Sequence, residues 1–96
     1  MTRSQFERDD DKDNFNQDKH GVSFWLARDA FADPRRVIAQ DVEHSQSEPR
    51  FYCFGMVNDC VMTVRFTYRN ESIRIYGAGY WRKGKAIYEH KNKIYR

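Results

Sequence analysis

The sequence predicts a small α+β domain in which an antiparallel sheet carries two N-terminal helices on one face and is followed by a C-terminal helix. Three observations carry this expectation. Phe24, Ala27 and Phe31 recur at i, i+3 and i+7, the spacing of a helix with one apolar stripe. Three strand-like segments, residues 50–57, 60–69 and 72–77, are separated by Asn58-Asp59 and Asn70-Glu71, which read as two-residue hairpin loops. Residues 82–95 place Ile87, Tyr88, Lys91, Ile94 and Tyr95 toward one side of a helix.

The elements follow in order. Residues 1–5 are expected to be disordered, and residues 5–8 form a short strand anchored by Phe6. Asp9 or Asp10 caps a first helix whose acidic start suits the helix dipole, and Gly21 ends it. The acids Asp9, Asp10, Asp11 and Asp13 are expected to be a solvated helix start, not a metal site. Ser23 caps the second helix, Trp25 and Leu26 broaden its stripe, and Asp33-Pro34 stops it. Residues 35–41 read as a strand around Val37-Ile38-Ala39, and residues 41–49 as a polar loop. Gly84 weakens the first turn of the last helix.

A two-residue loop pairs the residues on either side of it, so each hairpin fixes its own register. Val57 meets Cys60, Cys53 meets Val64, Tyr52 meets Arg65, Phe51 meets Phe66 and Arg50 meets Thr67, with Glu48 opposite Arg69. Across the second loop Arg69 meets Ser72, Thr67 meets Arg74, Phe66 meets Ile75 and Arg65 meets Tyr76. Side chains alternate along a strand. One face therefore collects Phe51, Cys53, Val64, Phe66, Tyr68, Ile73 and Ile75, a core for the second helix to cover. The other collects Arg50, Tyr52, Arg65, Thr67, Arg69, Arg74 and Tyr76, with Glu48 as the only nearby acid. Phe54 and Met56 point the same way, where the C-terminal helix would cover part of the face.

Ninety-six residues make one domain, residues 1–96. No apolar run approaches the ~18 residues of a membrane span, and no secretory signal precedes the domain. Cys53 and Cys60 do not face each other in the register, so free thiols in the cytoplasm are expected. No Cys/His spacing for a metal and no glycine-rich phosphate loop is present, and no cofactor is expected. Charge is divided: residues 1–49 carry 11 acids and 7 bases, residues 50–96 carry 3 acids and 10 bases. A basic half with arginines interleaved by tyrosines suits RNA, because guanidinium groups grip phosphate and aromatic rings stack on unpaired bases.

Metal-free RNA cleavage needs a base for the ribose 2′-hydroxyl, cations for the phosphorane and help for the leaving oxygen. The arginines supply cations. Glu48 is either a base or the salt-bridge partner of Arg69, and His20 at a helix C-terminus is either a proton donor or a cap. His44 and His90 show no partners and read as surface residues.

The run Phe6-Glu7-Arg8-Asp9 and the run from Asn16 to Phe24 resemble the start of BrnT-type toxins. Asp33-Pro34, Asp41, His44, Glu48, Arg50, Gly55, Thr67-Tyr68-Arg69, Ile73-Arg74-Ile75 and Tyr88 continue the resemblance over residues 6–89. It implies a RelE-like fold, a metal-independent ribonuclease that arrests translation, and a BrnA-like antitoxin with a ribbon-helix-helix part that binds DNA. Three positions depart from the pattern. Arg8 stands where the family usually has tryptophan, Gly77-Ala78-Gly79 where it usually reads Ser-Ala-Arg, and Lys85-Ala86 where an acid–arginine pair is expected. The arginine missing at Gly79 either weakens catalysis or is replaced by Arg82 reaching from the helix start. Lys19, His20, Glu48, Arg69, Arg74 and Arg82 are the candidate catalytic residues, and Arg50, Tyr52, Arg65, Tyr76 and Trp81 the candidate RNA-binding ones. The alternative is a non-catalytic RNA- or DNA-binding module, or an inactive toxin homologue.

Overall fold

A computed structural model describes residues 5–94. Five strands form one sheet in the order β1-β5-β4-β3-β2, comprising β1 (Gln5–Arg8), β2 (Val37–Gln40), β3 (Phe51–Val57), β4 (Cys60–Arg69) and β5 (Ser72–Gly79). Three α-helices accompany it: α1 (Asp10–His20), α2 (Phe24–Ala27) and α3 (Arg82–Lys91). The fold is therefore mixed α+β. The sheet is antiparallel except for β1, which runs parallel to β5 and which the sequence did not place. Gln5 begins that strand, so of the residues expected to be disordered only 1–4, and also Tyr95 of the expected last helix, lie outside the described residues.

Both hairpins close through two-residue turns with all four central residues in the left-handed region: φ is 52° and 66° at Asn58 and Asp59, and 51° and 66° at Asn70 and Glu71. Such turns match the twist of the flanking strands. They fix the expected pairs from Val57–Cys60 to Phe51–Phe66, and from Arg69–Ser72 to Phe66–Ile75. One expected pair is wrong. Arg65 faces Gly77, not Tyr76, because a bulge between Arg65 and Phe66 leaves Tyr76 as an extra residue on β5.

Local chemistry sets the helix ends. The Asp9 carboxylate accepts from the Asp11 and Lys12 amides, and Gly21 closes α1 at φ 69° with its N–H donating to the Gln17 carbonyl. The Ser23 hydroxyl accepts from the Leu26 amide. Asp13 is not solvated as expected. It is 6% exposed and accepts from the Phe24 amide, tying the two helices together. Beyond Ala27 the chain tightens into a 3-10 helix, Arg28–Ala32.

The larger core lies under α2 and this 3-10 helix. Phe24, Ala27 and Ala30 pack there with Cys53, Val64, Phe66, Ile73 and Ile75, as the alternation predicted. Tyr68 shares that face but stays exposed at its margin. A second cluster of Phe54, Val61 and Tyr88 lies under α3. α1 lies against β5: Asn16 donates to the carbonyls of Val22 and Ala78 (2.8 and 2.9 Å) and accepts from the Ala78 amide (3.2 Å). Asn16 thereby serves the end of β5 as a neighbouring strand would, beyond the point where β1 stops. α3 ends at Lys91, short of the predicted Tyr95, as Lys93 turns left-handed at φ 57° and the Ile94 amide bonds the Glu89 carbonyl at 2.8 Å.

Candidate nucleic-acid interface

Strand alternation brings Arg50, Tyr52, Arg65 and Tyr76 to the face opposite the larger core. The Arg50 and Arg65 guanidinium carbons stand 4.6 and 5.0 Å from the centre of the Tyr76 ring. A ring face attracts cations and holds two guanidinium groups near each other. The Arg50 Nε and the Tyr76 hydroxyl are buried without a hydrogen-bond partner among the described residues. Unpaired buried polar atoms are costly.

The four arginines are not equivalent, and the expectation that Glu48 is the only nearby acid fails. Arg74 pairs with Glu7 at 3.6 Å and Asp9 at 3.9 Å, because the parallel register sets β1 beside it. Arg69 pairs with Glu48 at 3.1 Å, as the register predicted, and Arg50 stands 3.9 Å from the same carboxylate. No carboxylate among the described residues pairs with Arg65. Of the four, Arg65 alone thus lacks a carboxylate partner among the described residues, and Arg50 has only the longer contact to Glu48.

A groove of about 380 Å³ opens beside this pair, lined by Lys19, His20, Arg50, Arg65, Tyr76 and Trp81. Lys12, Phe15 and the single acid Asp11 complete its α1 wall. The His20 and Trp81 rings meet edge to face with centroids 5.0 Å apart. A second hollow of about 740 Å³ shares Arg65 and Trp81 with the first and continues along Tyr52, Phe54, His44 and Lys83. Seven of the eleven predicted residues, namely Lys19, His20, Arg50, Tyr52, Arg65, Tyr76 and Trp81, therefore line this pair of neighbouring hollows. Glu48, Arg69 and Arg74 do not line it, being engaged in the ion pairs above. Arg82 lines neither hollow; it borders a third one with Asp59, Cys60 and Glu89, which meets the other two only at Trp81. The place of the missing arginine is instead taken by tryptophan: a Cβ on Gly79 would come within 2.7 Å of the Trp81 indole.

His44 has a partner, contrary to expectation. Its Nδ1 lies 2.8 Å from Asp41 Oδ2, and Asp41 is 5% exposed. Burial acts to raise the Asp41 pKa, but the His44 hydrogen bond and charge, with a contribution from the Tyr52 hydroxyl, outweigh it and hold the carboxyl below its usual range. The signal was present as Asp41-x-x-His44, a spacing that one tight turn brings together. Lys12 and Phe15 were also legible, since with Lys19 they recur on one side of α1.

Among the described residues no group of three or more His, Cys, Asp or Glu side chains is arranged to hold a metal ion, and no helix is long and apolar enough to cross a membrane. A family model for BrnT, the ribonuclease toxin of type II toxin–antitoxin systems, matches residues 9–84. No curated protein matches the chain.

Proposed function

The chain belongs to the BrnT family of ribonuclease toxins of type II toxin–antitoxin systems, and on that premise we propose that it is a metal-independent endoribonuclease that arrests translation in the cytoplasm. The observation that carries this reading is the pair of guanidinium groups, Arg65 unpaired and Arg50 with an unsatisfied Nε, gathered over Tyr76 in a groove walled by Lys19, His20 and Trp81. Arginine matches the fork of phosphate oxygens and stabilises charge that grows on a phosphorane. Trp81 and Phe15 offer faces for unpaired bases, which favours single-stranded RNA over a duplex groove. The sheet flanked by α1 and α3 is consistent with a RelE-like fold.

A type II toxin has a protein antitoxin as its partner. A BrnA-like ribbon-helix-helix protein fits that role, with DNA bound through the antitoxin. Purified toxin should cleave single-stranded RNA in excess chelator, and Arg65→Ala should slow it about 100-fold or more. Its expression without antitoxin should stop growth. Tight RNA binding without cleavage would instead support the inactive-homologue reading, which the absence of an arginine at Gly79 favours.

A further inference from the structure

We propose that His44 is the general base of RNA cleavage, positioned by Asp41, and that the hollow beside it takes the nucleotide whose 2′-hydroxyl attacks. The inference rests on the ribonuclease reading and adds to it a catalytic group. Asp41 accepts the Nδ1 proton of His44 across 2.8 Å. That bond fixes the tautomer in which Nε2 carries the free lone pair, the role an aspartate performs for a catalytic histidine. Asp41 is itself fixed, buried, with its amide donating to the Arg50 carbonyl at 2.7 Å and its carbonyl accepting from the Ser45 hydroxyl at 2.6 Å.

His44 is 51% exposed, so the ring is open to a ligand while its anchor is not. It borders the larger hollow, whose other titratable and charged lining groups are Tyr52 of β3, Arg65 of β4 and Lys83 of α3, and Asp41 is its ion-pair partner. Phe54, Ile87 and Trp81 supply an apolar wall for a base. Arg65 lines both this hollow and the one that His20 lines, so a phosphate on Arg65 borders two hollows that each carry a histidine.

The step balances without a cofactor. Nε2 of His44 takes the 2′-hydroxyl proton as the 2′-oxygen bonds to phosphorus. The bond from phosphorus to the 5′-oxygen breaks, and that oxygen takes its electron pair and a proton from His20 or water. The products are a 2′,3′-cyclic phosphate and a 5′-hydroxyl, and His44 returns its proton to solvent.

Single-turnover cleavage of an RNA oligonucleotide between pH 5 and 9 tests this, with wild type, His44→Ala and Asp41→Asn. His44→Ala should be about 100- to 10,000-fold slower and lose the acid limb of the profile, while binding a non-cleavable 2′-deoxy oligonucleotide as wild type does. Asp41→Asn, which can donate to Nδ1 and favour the wrong tautomer, should slow cleavage with little change in that binding. A substrate with sulfur at the 5′-leaving position needs no acid, so the His44→Ala defect should persist with it. Rescue by sulfur would make His44 an acid and overturn the proposal, as would His44→Ala cleaving at the wild-type rate. A wild-type protein that cleaves no RNA overturns the ribonuclease reading itself.

Discussion

Replacing Gly84 by alanine opposes helix propensity to packing, and the structure decides the sign. Propensity favours alanine by at most about 1 kcal/mol inside a helix. Against this, a Cβ at position 84 would overlap Thr63 Oγ1 and stand 3.0 and 3.2 Å from two carbons of the Phe54 ring. Thr63 and Phe54 are 5% and 3% exposed and sit on paired strands, so neither can swing away. The helix itself must back off the sheet. Overpacking of this kind costs ~1–3 kcal/mol, leaving a net loss of up to about 2 kcal/mol after propensity is credited. In a domain of this size that lowers the melting temperature by up to roughly 15 °C. Thermal unfolding followed by circular dichroism reads it directly. A Gly84→Ala protein that melts above the wild-type temperature, as propensity alone would make it, would refute the close approach of α3 to β3 and β4, and with it the wall of the larger hollow.

Three further outcomes are expected. Asp33 accepts from Tyr88 Oη (2.6 Å) and from the amides of Met56 (2.7 Å) and Arg35 (2.8 Å); burial works to raise its pKa, but these bonds hold it below 3.8. A depressed folded-state pKa stabilises above the unfolded value and is lost as pH falls through the folded one. Urea titrations should therefore show Asp33→Asn less stable by ~2 kcal/mol at pH 7, with the gap shrinking below pH ~4; a gap that stays constant to pH 2 would contradict the carboxylate's role. Arg65→Ala should weaken RNA binding and lower the slope of log affinity against log salt by about 1, whereas Arg74→Ala should change that slope less, because Glu7 and Asp9 already neutralise Arg74; equal slopes would show that those ion pairs open for RNA. Burial pushes the Cys53 thiol up to about 12 while Cys60 is exposed, so iodoacetamide at pH 8 should modify one thiol per native chain, and mass spectrometry should place it on Cys60.

What the sequence made legible was local. Asparagine tolerates the left-handed backbone, so Asn58 and Asn70 marked both turns, and counting outward gave nearly the whole register of β3, β4 and β5. Ser23, Asp9 and Gly21 marked helix ends for equally local reasons. What failed depends on residues far apart in the chain. The parallel pairing of β1 with β5 joins segments more than 60 residues apart, and it alone brings Glu7 and Asp9 to Arg74. Arg82 was expected at the site because it starts α3, but nothing in the sequence fixes the direction in which that first turn faces. His44 read as a surface residue because Asp41 was treated as the end of a strand and not as its partner.

The bulge at Tyr76 shows how a departure in sequence becomes shape. Plain alternation past Ile75 would put Gly77 toward the core and Ala78 toward the arginines. The extra residue shifts both: Gly77 faces Arg65, Ala78 is fully buried in the core, and Gly79 falls opposite Thr63. Two glycines therefore occupy successive ligand-facing positions at the end of β5, where a side chain would stand against the Arg65 stem (3.4 Å from Cδ at position 77) or the indole of Trp81 (2.7 Å at position 79). Read as missing functional groups, Gly77 and Gly79 argue against activity. In the fold Gly79 is the space in which Trp81 lies, whereas a Cβ at position 77 would only touch Arg65; Trp81 and Arg65 are the two residues that both hollows share. An arginine restored at position 79 would collide with Trp81 unless the indole moved, so rebuilding the family pattern here requires Trp81 to shift or to be replaced.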